Sequence, residues 1–189
     1  MPTELKIVAC RSAREFRTWL EKNHAGSDGI LLRMYKKDSA IPSLTYAEAL
    51  DQALCFGWID GQKNSYDEHS WLQKFTPRRP RSRWSRNNTQ HVERLIKSGE
   101  MTAAGLKEID AAKSDGRWET AYTSARNSTI PTDFLRALAQ NKKAKAFFKT
   151  LNKTNLYAIT YRLQTGKPET RAKRIQSIIE RLAREEPFH

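Results

Sequence analysis

The sequence predicts an α+β protein: a small, mostly antiparallel sheet with flanking helices, followed by a C-terminal helical part. Short apolar runs of strand character fall at Leu5 to Ala9, Gly29 to Lys36, Trp58 to Lys63 and Ser70 to Thr76. Helix signals interleave with them: Ser12 with Glu15 and Thr45 with Glu48 are capping-box pairs, each followed by an apolar stripe at helical spacing. From Asn88 onward the pattern is almost wholly helical. Strands mixed with helices and then a run of helices is the α+β signature.

The first helix carries Phe16, Trp19 and Leu20 at i, i+3 and i+4 and should stop between Asn23 and Gly26. The second carries Tyr46, Ala49, Leu50, Ala53 and Leu54, with Gly57 placed to end it. Trp58 to Lys63 and Ser70 to Thr76 read as a hairpin around a six-residue polar loop, Asn64 to His69. Val92, Leu95 and Ile96 precede a stop at Gly99; Met101 and Leu106 then bracket a Thr102 N-cap, with Ile109 following and a stop at Gly116. Asp133 begins a helix bearing Phe134, Leu135 and Leu138, then Phe147, Phe148 and Leu151. Leu156, Ile159 and Leu163 form the next stripe, and Pro168 is the first residue of a last helix with Ala172, Ile175, Ile179 and Leu182. The expected organisation is an α+β domain over residues 1–125, holding a Trp/Arg-rich segment, and a helical region over residues 126–189 packed on it.

A hydrophobic fraction of 38% with 10% aromatics excludes disorder as the default state of this chain. No apolar run approaches the length of a transmembrane helix, and Met1 to Cys10 lacks the apolar core of a secretory leader. Cys10 and Cys55 cannot alone form a disulfide framework or a four-ligand zinc site. His24, His69, His91 and His189 are scattered without metal-ligand spacing. The expectation is a soluble, cytoplasmic protein without cofactor or metal.

The charge is uneven. Residues 1–70 carry 9 Lys and Arg against 10 Asp and Glu, whereas residues 71–189 carry 25 against 11. Lys74, Arg78, Arg79, Arg81, Arg83 and Arg86 fall within thirteen positions that hold no acid. Such a block points to an anionic partner. It runs into a helix start at Ser85, Asn87 and Asn88, where unpaired backbone N–H groups favour anions, and guanidinium forks suit phosphate or carboxylate. Trp58, Trp71 and Trp84 lie near the block and could wall a planar ligand, or pack against arginines within the fold. The candidate ligand-binding set is Trp58, Asp60, Arg78, Arg83, Trp84, Ser85 and Asn88.

The runs Ala53-Leu54-Cys55-Phe56-Gly57-Trp58-Ile59-Asp60-Gly61, Phe75-Thr76-Pro77-Arg78, Trp84-Ser85, Gly99-Glu100-Met101, Asp115-Gly116-Arg117-Trp118 and Lys167-Pro168-Glu169-Thr170-Arg171 occur in that order. On these runs the chain resembles the YdeI/OmpD-associated family over nearly its whole length. The resemblance implies a bacterial, intracellular protein linked to bacteriocin or envelope-stress protection, and it supplies no catalytic set.

Motif by motif, catalysis finds little support. There is no Walker loop, no Gly-rich dinucleotide turn, no zinc-protease His pair and no nucleophile elbow. Cys55 sits among apolar neighbours at a helix C-terminus, which favours the neutral thiol. Asp60 with Asp67 or Glu68 is a carboxylate pair that turn solvation explains more simply. Arg171, Lys173, Arg174, Arg181 and Arg184 spread round the last helix beside Glu180, Glu185 and Glu186, first a solvated face and second a phosphate-contacting one. The reading is a non-enzymatic binding protein whose partner is an anionic small molecule or an acidic protein, without membrane insertion. Nonspecific nucleic-acid binding and an enzyme of unrecognised chemistry are the alternatives.

Overall fold

The computed structural model describes residues 4–125 and 127–188; Arg126, at the start of the expected helical region, and His189 lie outside them. The chain forms two compact units, one of Met1–Ser82 with Asn88–Trp118, the other of Arg83–Asn87 with Glu119–His189. The α+β class is the one observed.

In the first unit, β1 (Lys6–Ala9), α1 (Ala13–Asn23), β2 (Ile30–Tyr35), α2 (Tyr46–Cys55), β3 (Trp58–Ser65) and β4 (Ser70–Pro77) are followed by α3 (Arg86–Lys97), whose first two residues belong to the other unit, and α4 (Ala103–Ser114). The strand order is β1-β2-β4-β3, with β1 parallel to β2 and the other pairs antiparallel. Ile30, Leu32 and Met34 alternate into the core from β2, as period-two packing requires. Phe16 and Leu20 of α1 are buried, and the Phe16 ring lies 5.7 Å from that of Phe75 on β4.

Local chemistry sets the element ends. Thr45 and Glu48 make the full capping box, which holds the Glu48 carboxyl below the usual range. At α1 only half the box forms: Ser12 accepts from the Glu15 N–H, while the Glu15 carboxylate takes the Arg11 N–H instead of that of Ser12. The hairpin loop is four residues, Tyr66 to His69, rather than six. Ser65 stays paired opposite Trp71, and the Tyr66 and Asp67 N–H groups both donate to the Ser70 carbonyl. Helix α3 starts at Arg86, two residues before the expected Asn88, because Ser85 bridges Tyr122 and the Arg86 N–H donates to the Tyr122 carbonyl at 2.8 Å.

The end of α2 meets the start of α4. Gly57 takes φ +73°, the left-handed turn that ends the helix. The Cys55 carbonyl accepts from the Thr102 hydroxyl at 2.6 Å and the Thr102 N–H at 3.2 Å, so the N-cap of one helix satisfies an orphan carbonyl of the other.

The second unit holds α5 (Thr132–Ala139), α6 (Lys142–Phe148), α7 (Lys153–Thr165) and α8 (Arg171–Ala183). The single helix expected from Asp133 is two, because Asn141 caps α6 by accepting from the Ala144 N–H. Pro168 opens a 3₁₀ turn, Pro168–Thr170, ahead of α8 rather than α8 itself. Helices α5, α6 and α7 all pack on α8 around Phe134, Leu138, Ile159, Leu163, Ile179 and Leu182.

At Gly105 a Cβ would overlap the Cys55 carbonyl oxygen, a backbone atom that cannot swing away. Gly105→Ala should therefore lower the unfolding free energy by about 1–3 kcal/mol despite alanine's better helix propensity. A Cβ on Gly26 would meet nothing within 4 Å, so Gly26→Ala should be neutral or stabilising by about 0.4–1 kcal/mol. Urea denaturation of both variants checks the contrast, and equal midpoints would contradict the close approach.

Candidate anion-binding site

The residues expected to form a ligand site divide between the units: Trp58, Asp60, Arg78 and Asn88 in the first, Arg83, Trp84 and Ser85 in the second. Trp58 pairs with Pro77 across the hairpin, and the Arg78 N–H donates to the Gly57 carbonyl, so these two positions do meet. The Trp58 indole, however, is a core group: it is 1% exposed, packs edge-on to Trp19, and donates to the His24 carbonyl at 3.2 Å. Trp84 is 2% exposed. Trp71 carries the Lys63 ammonium 4.4 Å above its ring. The indoles thus serve packing. Asp60 accepts from the Tyr46 hydroxyl at 2.8 Å, Arg78 is 6% exposed, Ser85 bridges Tyr122, and Asn88 is buried in the first turn of α3.

The basic loop after β4 does border open space. A cleft of about 480 Å³ is lined by Lys74, Thr76, Arg78 and Arg79 together with Asp28; another of about 470 Å³ by Lys74, Thr76, Arg79, Arg81 and Ser82. Arg117 braces the loop, donating to the Ser82 carbonyl at 2.7 Å while its Nε binds the Asp115 carboxylate. That hydrogen bond holds the Asp115 carboxyl below the usual range.

A larger cavity, about 710 Å³, lies in the second unit along α7 and α8. Tyr157, Tyr161 and Thr165 face it from α7 at i, i+4 and i+8; Arg174, Ser177, Ile178 and Arg181 face it from α8 at i, i+3, i+4 and i+7. Arg83, Arg162 and Phe188 complete the charged and aromatic lining, which holds no carboxylate among the described residues. Neutral oxygens orient the guanidiniums. Arg162 donates to the Ala158 carbonyl, Arg174 to the Lys167 carbonyl and the Thr170 hydroxyl, and Arg181 to the Pro187 carbonyl. Arg181 Nε lies 3.9 Å from a Glu186 oxygen, too far for a hydrogen bond, and that carboxylate is bound more closely by Arg184. Arg174 Nε and Arg181 Nε are buried without an acceptor among the described residues. Each such donor costs about 1–3 kcal/mol of desolvation. Burial raises the Tyr157 phenol above its ordinary pKa, so it stays neutral at physiological pH.

Gly166 makes room for this arrangement. It ends α7 in an ordinary extended conformation, φ −85° and ψ 159°, and a Cβ there would overlap the Arg174 guanidinium. Arg171, next to the cavity face of α8, binds Asp133 through two nitrogens and donates to the Leu163 carbonyl, tying α8 to α5 and α7. No cluster of three His, Cys, Asp or Glu side chains suited to a metal occurs among the described residues, and no described helix is long and apolar enough to cross a membrane.

Residues 8–108, more than half of the chain, match the family model described as Domain of unknown function (DUF8412). The chain belongs to that family. Residues 127–185 match a second model, Bacteriocin-protection, YdeI or OmpD-Associated. The family resemblance read from the sequence thus holds over the second unit's helices and not over nearly the whole chain; of the runs that carried it, only Lys167 to Arg171 lies inside the match. Searches of curated proteins and of solved structures found no match. The DUF8412 segment contains the basic loop and Arg83, whereas the cavity lining from Tyr157 to Arg181 lies in the second match and Phe188 lies beyond it. The sequence gives Tyr157, Tyr161 and Arg162 no site reading, whereas Arg174 and Arg181 belong to the last helix's basic face, read first as solvated and second as phosphate-contacting. Their helical spacing was the available signal, but which helix faces which is a tertiary fact.

Cys55 is fully buried, and burial pushes its thiol up to about 11 although Arg17 pulls the other way. Cys10 is likewise pushed up to about 11 by burial. Neither thiol is placed to act as a thiolate nucleophile. The sign of the linkage follows: above about pH 8.5 the denatured chain releases thiol protons that the native state retains, which favours unfolding. Wild type should lose more stability between pH 8 and 10.5 than Cys55→Ala does. Parallel stability profiles for the two proteins in urea would contradict a raised thiol.

Proposed function

We propose that the protein is a non-enzymatic, cytoplasmic anion-binding protein acting in bacteriocin or envelope-stress protection, and that it holds its anion in the α7 and α8 cavity. One observation carries this reading: Arg83, Arg162, Arg174 and Arg181 line a single cavity whose described lining holds no carboxylate. Guanidinium groups offer fixed forks of donors and do not titrate near neutral pH. A site built from them holds negative charge and moves no protons, so binding is favoured over catalysis. The protective role rests on the matched segment, residues 127–185. The cytoplasmic placement rests on two buried cysteines held as thiols, a usage typical of reducing compartments.

Nonspecific nucleic-acid binding is the second reading. It is favoured by the basic surplus of residues 71–189 and by the exposed Lys142, Lys143 and Lys145 on α6. Such binding weakens steeply with salt, in proportion to the phosphates neutralised.

A melting series in phosphate against chloride at equal ionic strength tests the first reading. At 100 times its dissociation constant, phosphate should stabilise by about 2.7 kcal/mol, a rise of roughly 5–11 °C for a chain of this size. Arg174→Ala with Arg181→Ala should lose most of that increment. Gly166→Ala should lose much of it while melting near wild type without phosphate, because only the flexible end of Arg174 must move. Equal increments in all three proteins would contradict the cavity as the site. A steeply salt-dependent affinity for DNA, lost on replacing the three α6 lysines, would favour the second reading.

A further inference from the structure

Resting on the anion-binding reading, we infer that the cavity takes a nucleoside monophosphate or a ligand of that chemistry: a planar, acceptor-bearing ring joined to a phosphate. The cavity, about 710 Å³, is far larger than a bare phosphate and falls in the usual range for small-molecule sites. Its lining combines two kinds of group with different tasks. Guanidiniums supply donors for phosphate oxygens, and the Tyr157 and Tyr161 rings, 6.0 Å apart one helical turn along α7, supply flat apolar surface. Tyr161 is itself braced edge-on by Tyr122 at 5.1 Å, and Arg83 lies 6.0 Å from its ring centre.

Phe188 displays the chemistry directly. Its ring lies 4.9 Å from the Arg162 guanidinium carbon and 4.8 Å from that of Arg181, while its N–H donates to the Asn155 side chain. Guanidiniums of this cavity therefore already accept an aromatic face. The two buried nitrogens without an acceptor, Arg174 Nε and Arg181 Nε, belong to residues seven apart on α8. Seven residues of helix separate their backbones by about 10 Å. A ligand with acceptors on both its ring and its phosphate can engage the guanidiniums of both residues along the length of the cavity.

Calorimetric titration of the intact protein with AMP, ribose 5-phosphate, inorganic phosphate and adenosine tests this without any variant. AMP should bind at least tenfold more tightly than ribose 5-phosphate or phosphate, and adenosine more weakly than AMP. Tyr157→Leu should bring AMP down towards ribose 5-phosphate and leave phosphate binding unchanged, with the folded state checked by circular dichroism. Arg174→Ala with Arg181→Ala should weaken AMP, ribose 5-phosphate and phosphate together. If those three phosphate compounds bind equally well, the ring is not recognised and the inference is overturned, although the anion-binding reading stands. If none of them binds, the anion-binding reading fails and the inference falls with it.

Discussion

The two-nitrogen clasp of Arg171 on Asp133 organises the helices of the second unit. Its Nε and Nη2 reach the two carboxylate oxygens at 2.6 and 2.9 Å, and its Nη1 donates to the Leu163 carbonyl at 2.8 Å. One side chain at the start of α8 thereby fixes the start of α5 and the end of α7. The pairing holds the Asp133 carboxyl below the usual range, so the clasp persists until the solution is strongly acidic. Being half-exposed, it contributes geometry more than stability. The apolar set of Phe134, Ile159, Leu163, Ile179 and Leu182 supplies the stabilising burial once the helices are so placed.

With α8 set in this way, its Arg174 and Arg181 share a face of the cavity. Like charges held together repel, and the protein offsets this with carbonyl dipoles and ring faces, and with a Glu186 carboxylate 3.9 Å from Arg181 Nε. The resulting site is oriented and only partly neutralised. Gly166 is the residue on which the arrangement turns, since any side chain there competes for the space that the Arg174 guanidinium occupies. The first unit shows the contrasting case. There the basic loop is braced by the Arg117 and Asp115 pair, and one of its clefts includes Asp28, so its positive field is partly spent within the fold.

What could be read along the chain was local. Strand alternation at Ile30, Leu32 and Met34, the Thr45 and Glu48 box, and the glycine stops at Gly57, Gly99 and Gly116 all depend on neighbours within a few residues, and all are present. The start of α3 was misplaced because Tyr122, far along the chain, takes the Arg86 N–H. The tryptophans near the arginine block suggested a ligand wall, yet Trp58 is drawn into the core by Trp19 and the His24 carbonyl, partners that no spacing reveals. The arginines of α8, read one helix at a time, resembled a solvated face. Only the packing of α7 against α8 joins that face to one on α7 as a single cavity.

The central claim is positional: an oxyanion belongs between the α7 and α8 arginines and not on the basic loop. Soaking crystals of the protein in tungstate and locating the ion by its anomalous scattering tests that most directly. The account predicts a peak within hydrogen-bond distance of the Arg174 or Arg181 guanidinium. Tungstate bound only at Lys74, Arg79 and Arg81, with the α7 and α8 cavity empty, would contradict it.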